Sequence, residues 1–151
     1  MQRFDVLLRI VHPTADPAAI SKTLGLEPTM AWRVGDEKIT PTGTLLGGKR
    51  DDTRWLFHLR YETAEQWFFQ QLYDFIEVLE PQAEFIRDLA ATGGEISLEV
   101  HLLGDGYFGD TLPAAFIKRL AGLQMGFGLE SFVVPQNYEA GEARVALLPR
   151  P

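Results

Sequence analysis

The chain has no cysteine among its 151 residues. That absence excludes a disulfide framework, a thiolate zinc site and a cysteine nucleophile, and it suits a cytoplasmic protein. No apolar run approaches the roughly 18 residues a membrane span needs, and the stretch from Met1 to Pro13 is too short and too charged for a secretory signal core. Neither a membrane partner nor a leader is expected. Basic residues are outnumbered, 14 Lys and Arg against 21 Asp and Glu, for a net charge of −7. An acidic chain repels phosphate backbones, so nucleic acid is not an expected partner. The imbalance sits in residues 51–100, where eleven acidic residues face three basic ones, whereas the first fifty residues hold seven basic and five acidic. The same electrostatics permit a basic protein partner.

Catalytic signatures are missing as well. No Gly-x-Ser-x-Gly elbow occurs, and no carboxylate pair stands out as the two arms of a glycosidase. The three histidines, 12, 58 and 101, show neither H-x-x-x-H nor H-E-x-x-H spacing. Gly43 to Arg50 approaches the phosphate-loop pattern through Gly43, Gly48 and Lys49. Arg50, however, stands where a hydroxyl must hold magnesium, and no strand precedes the segment and no helix follows it. The sequence therefore predicts a mobile surface loop over 37–52, with no cofactor and no metal.

What is present is regular alternation. Phe4, Val6, Leu8 and Ile10 share one face of a strand over 4–11; Asp5, Leu7, Arg9 and Val11 share the other. Asp16-Pro17 opens a helix and Gly25 closes it. A short strand is expected over 29–34 and a longer one over 53–62, with Trp55, Phe57, Leu59 and Tyr61 on one face. Residues 64–79 carry an apolar stripe of Phe68, Leu72, Phe75, Ile76 and Leu79. Pro81 cannot sit inside that helix without a loss of about 3 kcal/mol, so a second helix starts there and runs to Gly93-Gly94; one kinked helix is the alternative. A strand over 95–103 points Ile96, Leu98, Val100 and Leu102 inward. A Gly-rich loop over 104–110, a helix over 112–123 and strands over 129–134 and 144–148 complete the reading.

The chain is thus expected to form one domain over 1–151, α+β, with a core at 4–134 and a tail at 135–151. The order β-α-β-β-α-β is that of a ferredoxin-like core with its helices on one face of a mixed, mostly antiparallel sheet. A C-terminal αβ(β) unit is added. The echo between PAAISKTLGL (17–26) and PAAFIKRLAGL (113–123) raises an internal duplication.

Two groups of residues are candidate binding sites. On the sheet face away from the helices, Arg9, His58, Arg60, Glu99 and His101 could converge, against the plainer reading of a solvated face with weak cross-strand pairs. Leu7 and Leu56 on that face call for cover, for which a second protomer is one source. Around the long loop, Trp32 and Trp55 could wall a ligand with Arg33 and Asp36 as polar contacts; loop anchoring at the edge of the core is the plainer reading. Asp74, Glu77, Glu84 and Asp88 line the outer side of the helical region, a solvated face or a dock for a basic partner.

The string Asp16-Pro17, Ile20, Leu24-Gly25-Leu26, Pro28, then Trp32-x-x-Gly35-Asp36, then Trp55, then a helix ending near Leu79-x-Pro81, resembles an uncharacterised bacterial family, the domain of unknown function four-two-seven-nine. The resemblance covers residues 4–134 and implies a small cytoplasmic domain, with no activity, cofactor or catalytic residue attached to it. The expected function is a non-enzymatic interaction module, one version being an immunity-type protein that neutralises a basic toxin. The rival is a small-molecule binder or enzyme using one of the two candidate sites.

Overall fold

Alternation in β1 (Arg3–His12) decides the layering. Phe4, Val6, Leu8 and Ile10 are buried under helices on one side of the strand. The computed structural model describes residues 3–61, 68–103 and 109–132, and at Arg3, Arg60, Tyr61 and Phe68 the backbone alone. After β1 come α1 (Pro17–Leu24), β2 (Met30–Trp32), β3 (Glu37–Ile39), β4 (Leu45–Lys49) and β5 (Thr53–Tyr61). Then follow α2 (Phe68–Leu79), α3 (Ala83–Ala91), β6 (Glu95–Leu103), α4 (Ala114–Gly122) and β7 (Gly126–Phe132). The fold is α+β. Its main sheet has five strands in the order β2-β5-β1-β6-β7, all neighbours antiparallel except β6 and β7, which run parallel.

β1 lies between β5 and β6, with Leu8 opposite Phe57 on one side and Leu98 on the other. Onto this face pack Ile20 and Leu24 of α1, Leu72, Phe75, Ile76 and Leu79 of α2, Ile86 and Leu89 of α3, and Phe116 and Leu120 of α4. Each set recurs at three- or four-residue spacing, which puts one stripe of each helix against the sheet. Trp55 is fully buried in this layer, and its indole N–H donates to Ser21 Oγ at 2.9 Å. It stacks on Phe57, which stacks in turn on Phe75 of α2.

The helix ends follow the local sequence. Asp16 Oδ1 accepts from the Ala18 N–H at 3.1 Å, Pro17 occupies the first turn, and Gly25 at φ 66° closes α1 as a left-handed cap. Between α2 and α3, Pro81 sits in a single 3₁₀ turn, Glu80–Gln82, so the second helix begins two residues later than expected. Glu80 in that turn makes a two-pronged ion pair with Arg119 of α4, at 2.6 and 2.7 Å.

Three segments differ from the reading of the sequence. Residues 37–52 are not an unstructured loop, because β3 and β4 pair as a hairpin. Ile39, Leu45 and Leu46 on it are all at least half exposed. A hairpin wet on both faces has no buried side, so its strands show no period-2 signal. The strand expected at 129–134 is found over 126–132, and β2 is three residues long rather than six. The two Pro-entered helices also lead to unlike pairings: β2 joins β5 antiparallel, β7 joins β6 parallel. Residues 64–67, most of the Gly-rich loop and the strand expected at 144–148 lie outside the described residues.

His12 ties the first loop to the end of α3. Its Nδ1 accepts the N–H groups of Thr14 (3.0 Å) and Ala15 (2.8 Å), which leaves the proton on Nε2, donated to Thr92 Oγ1 at 2.8 Å. Gly94 is required beside it, since a Cβ there would lie 2.5 Å from the Leu89 carbonyl and 3.0 Å from the His12 ring. Burial pushes the His12 imidazole below its ordinary value. The unfolded chain therefore takes up a proton near pH 6.5 that the folded chain refuses, so this group's share of stability is complete above that pH and is lost as pH falls below it. Urea midpoints measured from pH 7.5 to 5 are expected to fall, and the fall to be shallower in His12→Asn; equal slopes would count against a neutral, buried His12.

Candidate functional site

The other face of the sheet is built by strand register. Met30 and Trp32 of β2, Arg54, Leu56 and His58 of β5, Asp5, Leu7, Arg9 and Val11 of β1, and the odd-numbered residues of β6 all point there. On β7 the same face carries Gly126, Gly128, Glu130 and Phe132, opposite Ser97, Glu99, His101 and Leu103. Leu7, Leu56 and Leu103 are buried on this side yet stand outside the helix-covered core. Because Leu7 and Leu56 are buried within the chain itself, they do not call for a second protomer.

The chemistry concentrates at the β1-β6-β7 end. His101 Nε2 lies 3.5 Å from Glu99 Oε2 and 3.8 Å from Glu130 Oε2. One ligand atom from each of these residues lies within 4.8 Å of the others. At these lengths the contacts are ion-pair approaches rather than formed hydrogen bonds. Among the described residues, both ring nitrogens of His101, which is 5% exposed, are buried without a hydrogen-bond partner. Asp5 stands directly opposite His101 across β1 and β6, is 2% exposed, and its Oδ1 likewise has no hydrogen-bond partner among the described residues. Leaving such groups unsatisfied costs about 1–3 kcal/mol each, more where charge is involved.

Glu99 is held in place from both ends. Ser97 Oγ donates to its Oε1 at 2.9 Å, which turns Oε2 toward His101. Its side chain lies over Gly128, where a Cβ would meet Glu99 Cγ at 2.9 Å. The His101 ring holds the Glu99 carboxyl below the usual range; burial works against this, and the Ser97 hydroxyl and the Arg9 charge add to it. The edge of Phe132 meets the His101 ring at 5.7 Å and limits its orientation.

The residues singled out from the sequence are therefore divided. Glu99 and His101 come together, and Arg9, half-buried, acts on Glu99 through its charge. His58 does not join them: in its row the buried Leu7 stands between it and Glu99, and its backbone N–H is bonded to Thr29 Oγ1. Arg60 stands opposite Asp5 in register, with its side chain outside the described residues. Trp32 and Trp55, which the sequence offered as ligand walls beside the plainer reading of loop anchors, lie on opposite faces of the sheet. Register places Trp32 with Arg54 on the helix-free face, while Trp55 lies under α1 on the other. Trp32 is instead overlaid by Arg50 at 4.0 Å, with Arg54 at 5.6 Å. Arg33 and Asp36 are exposed and bond each other through a turn, Arg33 N–H to Asp36 Oδ2 at 2.8 Å.

Asp5, Ser97 and Glu130 were missed as site residues. Asp5 was visible as a charge in a strand that is otherwise apolar on both faces apart from Arg9. Glu130 had no signal, because only the parallel pairing of β7 with β6 brings it opposite His101. No metal ligands were expected, since no His spacing motif occurs; Glu99, His101 and Glu130, which could hold an ion, are brought together across two strands.

The family model described as "Domain of unknown function (DUF4279)" matches residues 2–131. The chain belongs to this family. The matched span includes Asp5, Glu99, His101 and Glu130, so the cluster lies within the family's domain. Comparison with curated proteins and with solved structures gives no match. Among the described residues no helix is long and apolar enough to cross a membrane.

Proposed function

We propose that this protein is a non-enzymatic binding module that takes its ligand on the sheet face the helices leave open. One observation carries the reading: Asp5 and His101, both nearly fully buried on that face, keep polar atoms with no hydrogen-bond partner among the described residues. A fold retains such groups at a cost in stability, and a bound ligand is what offsets it. The scaffold is read as a ferredoxin-like core, supported by the order β2-β5-β1-β6 with antiparallel neighbours, and α4-β7 as an appended unit whose Pro-entered helix echoes α1. The lack of cysteine supports a cytoplasmic setting.

A thermal-shift panel of polar metabolites and divalent cations tests the reading. A ligand at 100 times its dissociation constant adds about 2.7 kcal/mol, which for a domain of this size raises Tm by about 5–10 °C. The expected result is a shift in the wild type that disappears in His101→Gln. A panel with no effect, or a shift that the variant keeps, would sink it.

A second reading has its own support. Asp74, Glu77, Glu84 and Asp88 are all exposed on α2 and α3, which suits docking of a basic protein, as an immunity-type protein would require. Binding of that kind would weaken with salt and would be indifferent to His101→Gln.

A further inference from the structure

The geometry points to a divalent transition-metal site formed by Glu99, His101 and Glu130. The inference rests on the sheet-face reading above and names the ligand class. A tetrahedral zinc ion with bonds of about 2.0–2.1 Å holds its ligand atoms about 3.4 Å apart. His101 Nε2 already lies 3.5 Å from one Glu99 oxygen and 3.8 Å from one Glu130 oxygen. Glu130, with its side chain 58% exposed on the edge strand, has the freedom to close the remaining distance.

The surrounding groups fit the same ion. A metal-bound imidazole passes its other N–H to a carboxylate, and the ligating carboxylates are themselves hydrogen-bonded. His101 is nine-tenths buried, its Nε2 lacks a hydrogen-bond partner among the described residues, and it faces both carboxylates, so an ion there gives it one. Ser97 already holds the outer oxygen of Glu99 and leaves the inner one free. Gly128 clears the space through which the Glu99 side chain leans toward β7. One imidazole with carboxylates favours a first-row ion such as Zn²⁺ over Mg²⁺ or Ca²⁺, which prefer oxygen donors alone.

Isothermal titration of the untagged full chain, stripped with chelator, with Zn²⁺ is the test. One ion per chain is expected. Glu130→Gln, at an exposed position, is expected to weaken binding at least ~10-fold, as is removal of Ser97, whose outer-sphere contact to Glu99 is worth ~10–100-fold. Gly128→Ala, which displaces Glu99, is expected to weaken it also. No binding of Zn²⁺, binding unchanged in both Glu130→Gln and Glu99→Gln, or equal binding of Mg²⁺ would overturn the assignment. If a metabolite shifts the wild type while Zn²⁺ does not, the metal assignment fails and the sheet-face reading stands. If neither has an effect, both fail.

Discussion

Trp55→Ala is expected to cost about 3–5 kcal/mol, the range for deleting a fully buried large aromatic. Trp55 has no solvent exposure, and it is the largest fully buried side chain in the protein's described residues. Its loss leaves a cavity between β5 and α1. It also removes the donor to Ser21 Oγ and one end of the stack that runs through Phe57 to Phe75. A domain of this size holds about 5–15 kcal/mol in all, so the variant sits near the limit of folding, with Tm lower by about 10 °C or more. Trp55→Phe keeps most of the volume and is expected to recover more than half of the loss. Trp32→Ala, made beside it, is expected to cost much less, because that ring is half-buried and packed under guanidinium groups. Urea unfolding of the three variants checks this. Equal costs for the two Trp→Ala changes would contradict the placement of the two indoles on opposite faces.

The contrast between the two tryptophans shows what the sequence could reveal. Trp55 belongs to a nine-residue strand whose alternation fixes its face, so its burial under the helices was readable. Trp32 belongs to a three-residue edge strand, too short for a period to be seen, and only pairing with β5 assigns its side. The long strands β1, β5 and β6 and the caps at Asp16, Gly25 and Gly94 were legible for the same reason: each is a local pattern with a local cause. The site was half legible. Glu99 and His101 are two apart on one strand and announce their shared face. Glu130 joins them through a parallel pairing set by the α4 connection, which side-chain periodicity does not encode. The polar face itself proved partly buried rather than solvated, and alternation reports which side a residue faces, not how deeply that side is covered.

Asp5→Asn is expected to stabilise the ligand-free protein. A carboxyl group at 2% exposure, with one oxygen lacking a hydrogen-bond partner among the described residues, is a net cost to the folded state. Asn keeps the shape and removes the charge, so the folded state gains roughly 1 kcal/mol or more. The reverse outcome follows if Asp5 is a structural partner, since breaking a satisfied buried contact costs stability. A group kept at the expense of stability is the mark of a site held for something else.

The central claim is that the buried polar groups on the helix-free face serve a ligand and not the fold. Urea unfolding of the wild type and Asp5→Asn, side by side at pH 7.5 in excess chelator, tests it most directly. The account predicts a higher midpoint for Asp5→Asn at an unchanged slope. A lower midpoint would contradict it.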